Sequence, residues 1–236
     1  MRNPGNRMVE GQVGHRCPGC RLLVSACLCD LIPRVETCTR VLVVLHRLET
    51  QKPSNTGLLA LRCLPNSGGV IRGALDQTTA VPGWAEQGDP VLLFPHPDAR
   101  PLSDFCGGSR PVTLIVPDGT WRQAQRVRRR VAGLGDVPCA FVTRDAPSAY
   151  RLRSTPDERR LSTLEAIAEA LCLLEGAQGP VARELLLGIF QVMVDRSLRG
   201  RAPQRNLQGP RAPTGQQLGP QPEKPREGRA SSCERP

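Results

Sequence analysis

The chain predicts an α/β fold with a mostly parallel sheet and helices on both faces. Residues 40–46 and 112–116 are short runs that are apolar at almost every position. Such runs are typical of strands buried on both faces, as in parallel sheets. Segments of helical pattern lie between the strand candidates, and strands that alternate with helices form sheets covered by those helices. The 236 residues allow one sizeable hydrophobic core.

After a predicted flexible leader, residues 1–14, four cysteines fall within a short segment: Cys17, Cys20, Cys27 and Cys29. The C-x-x-C spacing lets both sulfurs of the first pair turn inward, and alternate residues of an extended C-x-C segment point to one side. Four thiolates can close a tetrahedral Zn²⁺ site without an open position, which indicates a structural role. We therefore predict a four-cysteine zinc knuckle at residues 15–30. A cluster of buried thiols or a redox pair is the alternative interpretation.

The first predicted strand, residues 40–46, ends at His46, and Glu49 follows in a polar loop. Residues 58–64 predict a short apolar helix. Its N-cap can come from the polar residues before it, which are Ser54, Asn55 and Thr56. A helix N-terminus that faces a strand tip can also bind a ligand. The sequence alone favours capping. Residues 69–73 and 90–94 are the next strand candidates.

The strand at residues 112–116 leads through Pro117 to Asp118, and Gly119, Thr120 and Trp121 follow. Ligands of parallel sheets bind outside the carboxyl ends of strands, so Asp118 is a candidate site residue. The pattern then predicts a basic helix. It carries five arginines and no acid: Arg122, Arg126, Arg128, Arg129 and Arg130. Helical spacing places Arg122, Arg126 and either Arg129 or Arg130 on one face of this helix. This stripe favours phosphate contact over a merely solvated face.

Residues 137–143 predict the strand that follows, and a loop then carries Ser148, Tyr150, Arg151 and Arg153. The sequence from Ser162 to Glu165 is a capping box that begins a helix. The last helix is predicted over residues 180–198. The tail, residues 199–236, is rich in proline, glycine and arginine and too poor in apolar side chains to fold by itself.

Composition excludes several classes of protein. No apolar run approaches the roughly 20 residues of a membrane helix, and the N-terminus has no apolar signal core, which predicts a cytoplasmic protein without membrane association. Neither G-x-G-x-x-G nor G-x-x-x-x-G-K-[ST] occurs, so an ordinary dinucleotide site or P-loop is not supported. Half of the +10 net charge lies in the tail, so the isoelectric point alone does not establish nucleic-acid binding.

Five motifs together resemble the DTW-domain family: the four cysteines, His46-x2-Glu49, Ser54–Gly57, Asp118–Trp121 and the pattern over residues 150–166. The resemblance covers roughly residues 15–198 and implies a SPOUT-like fold, with residues 31–198 as the S-adenosylmethionine (SAM)-binding catalytic domain. It implies transfer of the 3-amino-3-carboxypropyl group of SAM to N3 of a tRNA loop uridine, with 5′-methylthioadenosine leaving. A SPOUT-like RNA methyltransferase and a non-catalytic zinc-containing RNA-binding module are the alternatives.

With this reaction in view, individual residues have expected roles. Asp118 is the expected base for the N3 proton. His46 and Glu49 are the alternative base, and Asp118 as a mere cap of the following helix is a third interpretation. The expected SAM contacts are Asn55, Thr56, Pro117, Gly119, Thr120, Trp121, Ser162, Thr163 and Glu165. The expected RNA contacts are Arg122, Arg126, Arg129, Arg130, Arg151 and Arg153, which would position phosphates without selecting a base.

Overall fold

A computed structural model describes residues 15–73, 79–80, 86–143, 147–152 and 160–201. The predicted leader, the tail beyond residue 201 and Arg153 lie outside these residues. The strands are β1 Arg40–His46, β2 Ser67–Arg72, β3 Thr79–Ala80, β4 Asp89–Leu93, β5 Arg100–Pro101, β6 Val112–Asp118, β7 Val131–Ala132 and β8 Cys139–Phe141. The helices are α1 Thr56–Cys63, α2 Trp121–Gln125, α3 Val127–Arg130, α4 Thr163–Leu174 and α5 Gly179–Arg201. Short 3-10 helices lie at Val24–Ala26, Cys29–Leu31, Leu102–Phe105 and Gly176–Gln178.

Six strands form the main sheet in the order β2-β1-β6-β4-β8-β5, and β3 pairs with β7 separately. Every strand pair in the described residues is parallel. The predicted α/β class and parallel sheet are therefore confirmed. Strand β6 lies in the middle of the sheet and is buried at each of its seven positions, which explains its continuous apolar run.

The two faces of the sheet carry different cores. On one face, Val41, Val43 and Leu45 pack in a core with residues of α1, α4 and α5. On the other, Leu42 and Val44 pack in a core formed with α3 and the segment that follows it. Helices thus cover both faces, as predicted, although the second face has only short helices. Among the described helices, none combines the length and apolar character needed to cross a membrane.

The predicted basic helix over residues 122–130 is wrong as a single element. It is broken at Arg126, which ends α2 and precedes α3. Val127 and Val131 are both buried in the second core, and the chain leaves the helix after Arg130 to enter β7. Burial of these two valines therefore overrides the helix-forming tendency of the arginines. Other bounds differ as well: β8 is shorter than the predicted 137–143, and α5 extends three residues into the predicted tail. Helix α1 and strands β2 and β4 lie one or two residues nearer the N-terminus than predicted, and β6 extends two residues further, to Asp118.

Candidate active site at the carboxyl edge of the sheet

Asp118 ends β6 and lies between the N-termini of two helices. Its side chain accepts a hydrogen bond from Asn55 Nδ2 at 2.5 Å and another from the hydroxyl of Thr163. Asn55 is the N-cap of α1, where its Oδ1 accepts from the Leu58 backbone N–H at 2.6 Å. Capping of α1 by Asn55 is therefore confirmed, and its Nδ2 also holds the Asp118 carboxyl group. Ligand binding at this helix N-terminus stays a prediction.

Burial controls the charge of this carboxyl group, which is 6% exposed. Loss of solvation raises the pKa of Asp118, the two hydrogen bonds oppose that rise, and the negative charge of Glu49 adds to it. Gly57 packs directly on the carboxyl group, since a Cβ there would lie 2.9 Å from Asp118 Cγ. Asp118 is therefore closely packed and hydrogen-bonded, and burial raises its pKa from the usual value for aspartate.

The turn after Asp118 begins α2 with a capping box of its own. Thr120 Oγ1 accepts from the Gln123 backbone N–H, and Gln123 Oε1 accepts from the Thr120 N–H at 2.7 Å. Gly119 leaves space for this side chain, because a Cβ there would lie 2.8 Å from Gln123 Oε1. The interpretation that Asp118 caps α2 is therefore wrong: Thr120 is the cap. The T-x-x-Q spacing is a capping-box signature that sequence reasoning missed.

Trp121, the first residue of α2, remains 43% exposed. Its ring centroid lies 4.9 Å from that of Phe94, beyond the end of β4, and the Arg160 guanidinium lies 4.9 Å from the same ring. An exposed indole supported by a second ring presents an aromatic surface at this edge of the sheet. Flat rings of this kind can stack with a nucleobase.

His46 reaches the same edge but lies on the opposite face of the sheet from Asp118. Leu45 of β1 is the register partner of Asp118, so their side chains point to the same face of the sheet. His46, the register partner of Arg72, is the next residue along β1 and therefore points to the other face. His46 Nδ1 accepts from the Leu48 N–H at 3.3 Å and lies 3.2 Å from Gln123 Nε2. Burial lowers the pKa of His46, and the charge of Arg72 lowers it further. A neutral His46 therefore carries its proton on Nε2.

Glu49, the other alternative base, lies in the loop after β1 and is 9% exposed. Its Oε1 is 2.6 Å from Lys52 Nζ, an ion pair that sequence reasoning missed although the i,i+3 spacing is visible. The Glu49 carboxylate is therefore already compensated. The structure brings Asp118, His46 and Glu49 to one edge but does not join them into one hydrogen-bonded group.

The capping box predicted at Ser162 is confirmed at the start of α4. Glu165 is fully buried. Its carboxylate accepts from the Ser148 hydroxyl at 2.7 Å, the Ala149 N–H at 2.9 Å and the Ser162 N–H at 2.8 Å. Glu165 thus fastens the 148–149 loop to α4. Thr56 and Pro117 are buried as well, in α1 and β6. The SAM contacts expected from this set stay a prediction.

The four cysteine sulfurs at the N-terminus converge, as predicted. Cys17 Sγ lies 3.4 Å from Cys27 Sγ and 3.6 Å from Cys29 Sγ, and Cys20 Sγ lies 3.8 Å from Cys27 Sγ. A tetrahedron of sulfurs about 2.3 Å from a central zinc ion has edges of about 3.8 Å, so the donor set fits that ion. Every described cysteine is a free thiol. This cluster could therefore hold a zinc ion.

Neighbouring residues support the cluster. A Cβ on Gly19 would lie 2.9 Å from Cys29 Sγ, so only glycine fits this turn. Arg62 Nη2 donates to Cys29 Sγ at 3.3 Å, and Arg196 of α5 donates to the Cys27 carbonyl. Leu22 and Leu28 are buried in the core that contains α1, α4 and α5. The knuckle is therefore part of the main core.

The predicted RNA-contacting arginines fall into two groups. Arg122, Arg126, Arg129 and Arg130 are exposed. Arg151 forms an ion pair with Asp195 of α5 at 2.6 Å. Arg128, which was not among the predicted RNA contacts, donates to the Gly135 carbonyl and pairs with Asp98 at 2.7 Å. It lies beside His96, Asp98 and Cys139, the second possible metal-binding group among the described residues. The positive charge of Arg128 disfavours binding of a metal cation by these three residues.

The DTW-domain family model matches residues 14–198. The chain is 27% identical over 185 residues to tRNA-uridine aminocarboxypropyltransferase 2 of Drosophila melanogaster, which covers 73% of this chain and 71% of that protein. It is 27% identical over 191 residues to the Macaca fascicularis protein of the same name, covering 78% of this chain and 63% of that protein. The Mus musculus protein of that name is 26% identical over 191 residues, with the same coverage.

No solved structure matches the chain significantly, so the SPOUT-like fold stays a prediction. The family model, by contrast, covers more than half of the chain and contains the four cysteines, Asp118 and Glu165. The chain belongs to the DTW-domain family.

Proposed function

We propose that the chain is a tRNA-uridine aminocarboxypropyltransferase that transfers the 3-amino-3-carboxypropyl group of SAM to N3 of a loop uridine. Membership of the DTW-domain family and the names of three curated relatives support the chemistry. One observation carries the proposal at the level of residues: the buried Asp118 carboxyl group, held at a strand end between two helix N-termini. Parallel sheets bind their ligands at this edge.

In the proposed reaction, the sulfonium of SAM makes the γ-carbon of its methionine part electrophilic. The uridine N3 lone pair forms the new bond to that carbon as the carbon–sulfur bond breaks. The bonding electrons return to sulfur, and neutral 5′-methylthioadenosine leaves. N3 must also lose its proton. The protein's main contribution is to present the γ-carbon, and not the methyl group, to N3.

We assign the proton to Asp118. Its raised pKa brings the carboxyl group closer to the working pH, where a general base is most effective. Asn55 and Thr163 keep the carboxylate in position through their hydrogen bonds. His46 suits the role less well, because its Nδ1 already accepts hydrogen bonds and its Nε2 carries a proton when the ring is neutral. Glu49 is paired with Lys52.

The proposed substrate site extends along the same edge. The reactive N3 lies on the Watson–Crick edge, so the uridine must be unpaired or extruded from a helix. Trp121 offers an exposed ring for this base. We place SAM beside the turn of Gly119 and Thr120 and the N-termini of α1 and α4, with Asn55, Thr56, Pro117, Ser162, Thr163 and Glu165 as the surrounding residues. The cysteines would hold a structural zinc ion, and a reducing cytoplasm is the expected compartment.

A reconstituted reaction tests the proposal. Purified protein, SAM and unmodified tRNA are incubated, and the products are identified by mass spectrometry. We expect 5′-methylthioadenosine and an aminocarboxypropyl-uridine in equal amounts, both dependent on tRNA. S-adenosylhomocysteine with a methylated nucleoside would show a methyltransferase instead. Binding of tRNA without any consumption of SAM would indicate a non-catalytic RNA-binding module.

A further inference from the structure

Arg72 is a buried arginine that the structure leaves incompletely paired. It ends β2 and is 7% exposed. Its Nη2 donates to the Gln123 carbonyl at 3.0 Å, whereas its Nε has no hydrogen-bond partner among the described residues. As the register partner of His46, Arg72 points to the face of the sheet that carries α2 and α3. A buried donor without a partner is rare in folded proteins.

The charges around Arg72 are also positive. Loss of solvation lowers the pKa of Arg72, and the charges of Arg130 and Arg126 lower it further. In the part of the chain that the structure describes, none of these three arginines forms an ion pair with an acid. Other arginines differ: Arg128 pairs with Asp98, and Arg183 pairs with Glu169. The group of Arg72, Arg126 and Arg130, here called the Arg72 cluster, therefore concentrates positive charge without compensation.

This arrangement is unfavourable for the protein alone. A buried charge costs free energy unless it is paired, and two further cations raise that cost. Arg126 and Arg130 are exposed and can reach a ligand outside the protein. A guanidinium presents a planar set of donors that matches the oxygens of a phosphate. An external oxyanion would compensate all three charges at once.

We propose that the Arg72 cluster binds a backbone phosphate of the tRNA and anchors it beside the candidate active site; this inference rests on the proposed function. Arg126 and Arg130 contact the phosphate. Arg72 is a positioning residue with two effects. Its buried guanidinium adds positive charge behind the two exposed arginines, and its hydrogen bond holds the Gln123 carbonyl in the last turn of α2, directly before Arg126. The cluster lies at the same carboxyl edge as the turn that carries Trp121, so an anchored strand can deliver a nucleotide to that ring.

Binding of tRNA, measured across a series of salt concentrations in the absence of SAM, tests this inference. The variants are Arg72→Gln, Arg126→Gln and Arg130→Gln in the full chain. Arg34→Gln is the matched control, because Arg34 is an exposed arginine paired with Glu36 outside the candidate site. We expect each exposed cluster variant to bind tRNA several-fold more weakly near 0.1 M salt and to reduce the slope of log K against log salt by about 1.

Two further readouts distinguish an electrostatic role of the Arg72 cluster from a purely structural one. Arg126→Lys should recover part of the lost affinity, because the positive charge is restored. Inorganic pyrophosphate should raise the melting temperature of the wild type more than chloride of equal ionic strength does, and Arg72→Gln should lose this difference. If Arg72→Gln does not fold, the exposed variants still decide the question.

The inference is overturned if the cluster variants bind tRNA as tightly as Arg34→Gln does, whether or not their KM for SAM changes. A KM for SAM that rises while tRNA affinity is unchanged would assign the cluster to the SAM carboxylate. In either case, a wild-type enzyme that still forms aminocarboxypropyl-uridine leaves the proposed function intact. Conversely, a cluster that binds tRNA in a protein that forms no product would contradict only the proposed function.

Discussion

Replacement of Asp118 by asparagine is expected to lower kcat about 10²- to 10⁴-fold, the range that a general base contributes. The KM for tRNA should change little, because the side-chain shape is kept. An asparagine can still accept from Asn55 through Oδ1, and its amide can donate to the Thr163 hydroxyl once that hydroxyl rotates. The measurement is the initial rate of 5′-methylthioadenosine release. Asp104→Asn, the same change at an exposed position, should leave the rate unaltered.

The pH dependence sharpens this prediction. The pKa of Asp118 is raised in the folded state by burial, so ionisation of the group costs stability. Below the unfolded-state pKa, Asp118 is protonated in both states and its full contribution to the free energy of unfolding is present. As the pH rises from there through the folded-state pKa, that contribution is lost, because the unfolded chain ionises more readily than the folded protein. Asp118→Asn cannot ionise and should therefore gain stability relative to the wild type as the pH rises through that interval. Urea unfolding of both proteins across the pH series measures the difference.

Asp118→Asn, unlike Asp118→Ala, distinguishes a catalytic base from a residue with a purely structural role. Asp118→Ala leaves the Asn55 amide and the Thr163 hydroxyl without their acceptor, and an unsatisfied buried donor such as the Asn55 amide costs about 1–3 kcal/mol. Loss of activity in Asp118→Ala alone is therefore uninformative. If Asp118→Asn keeps wild-type kcat, the carboxylate is not the base, and its role is to hold the N-termini of α1 and α4 together.

Removal of the metal site is expected to have the largest effect on stability. Replacement of both Cys17 and Cys20 by serine should abolish zinc binding and lower the free energy of unfolding by several kcal/mol, because structural zinc sites contribute directly to folding. The knuckle shares the main core through Leu22 and Leu28, so the loss should spread to α1 and α5. Elemental analysis should give about one zinc ion per wild-type chain, and thermal unfolding should show the loss of stability.

Cys38→Ser is the control for this experiment. Cys38 is an exposed thiol outside the four-cysteine cluster, so its replacement should alter neither zinc content nor melting temperature. Purification of the wild type without metal and with full stability would contradict the zinc assignment. Retention of one zinc ion by the double variant would show that the metal lies elsewhere.

The sequence predicted the features that depend on local chemistry. The continuous apolar run of β6 indicated a buried strand, the Ser162–Glu165 spacing indicated a helix start, and the spacing of the cysteines indicated convergence; the structure has all three. Each of these features is specified by residues close together in the chain. The same holds for the placement of Asp118 at a strand end.

Features that depend on tertiary packing could not be predicted in this way. Strands β1 and β6 are apolar on both faces, so their sequences contain no alternation that would show His46 and Asp118 pointing in opposite directions. Arginines are almost never fully buried, so nothing in the sequence marked Arg72. The break at Arg126 likewise follows from the burial of Val127 and not from local propensity.

The modified nucleosides of cellular tRNA test the central claim most directly. Total tRNA is isolated from cells with the protein, from cells without it, and from cells that express only Asp118→Asn, and the nucleosides are separated and identified by mass spectrometry. The account predicts an aminocarboxypropyl-uridine that is present with the wild-type protein and missing from the other two samples. An equal amount of that nucleoside in all three samples would contradict the proposed function.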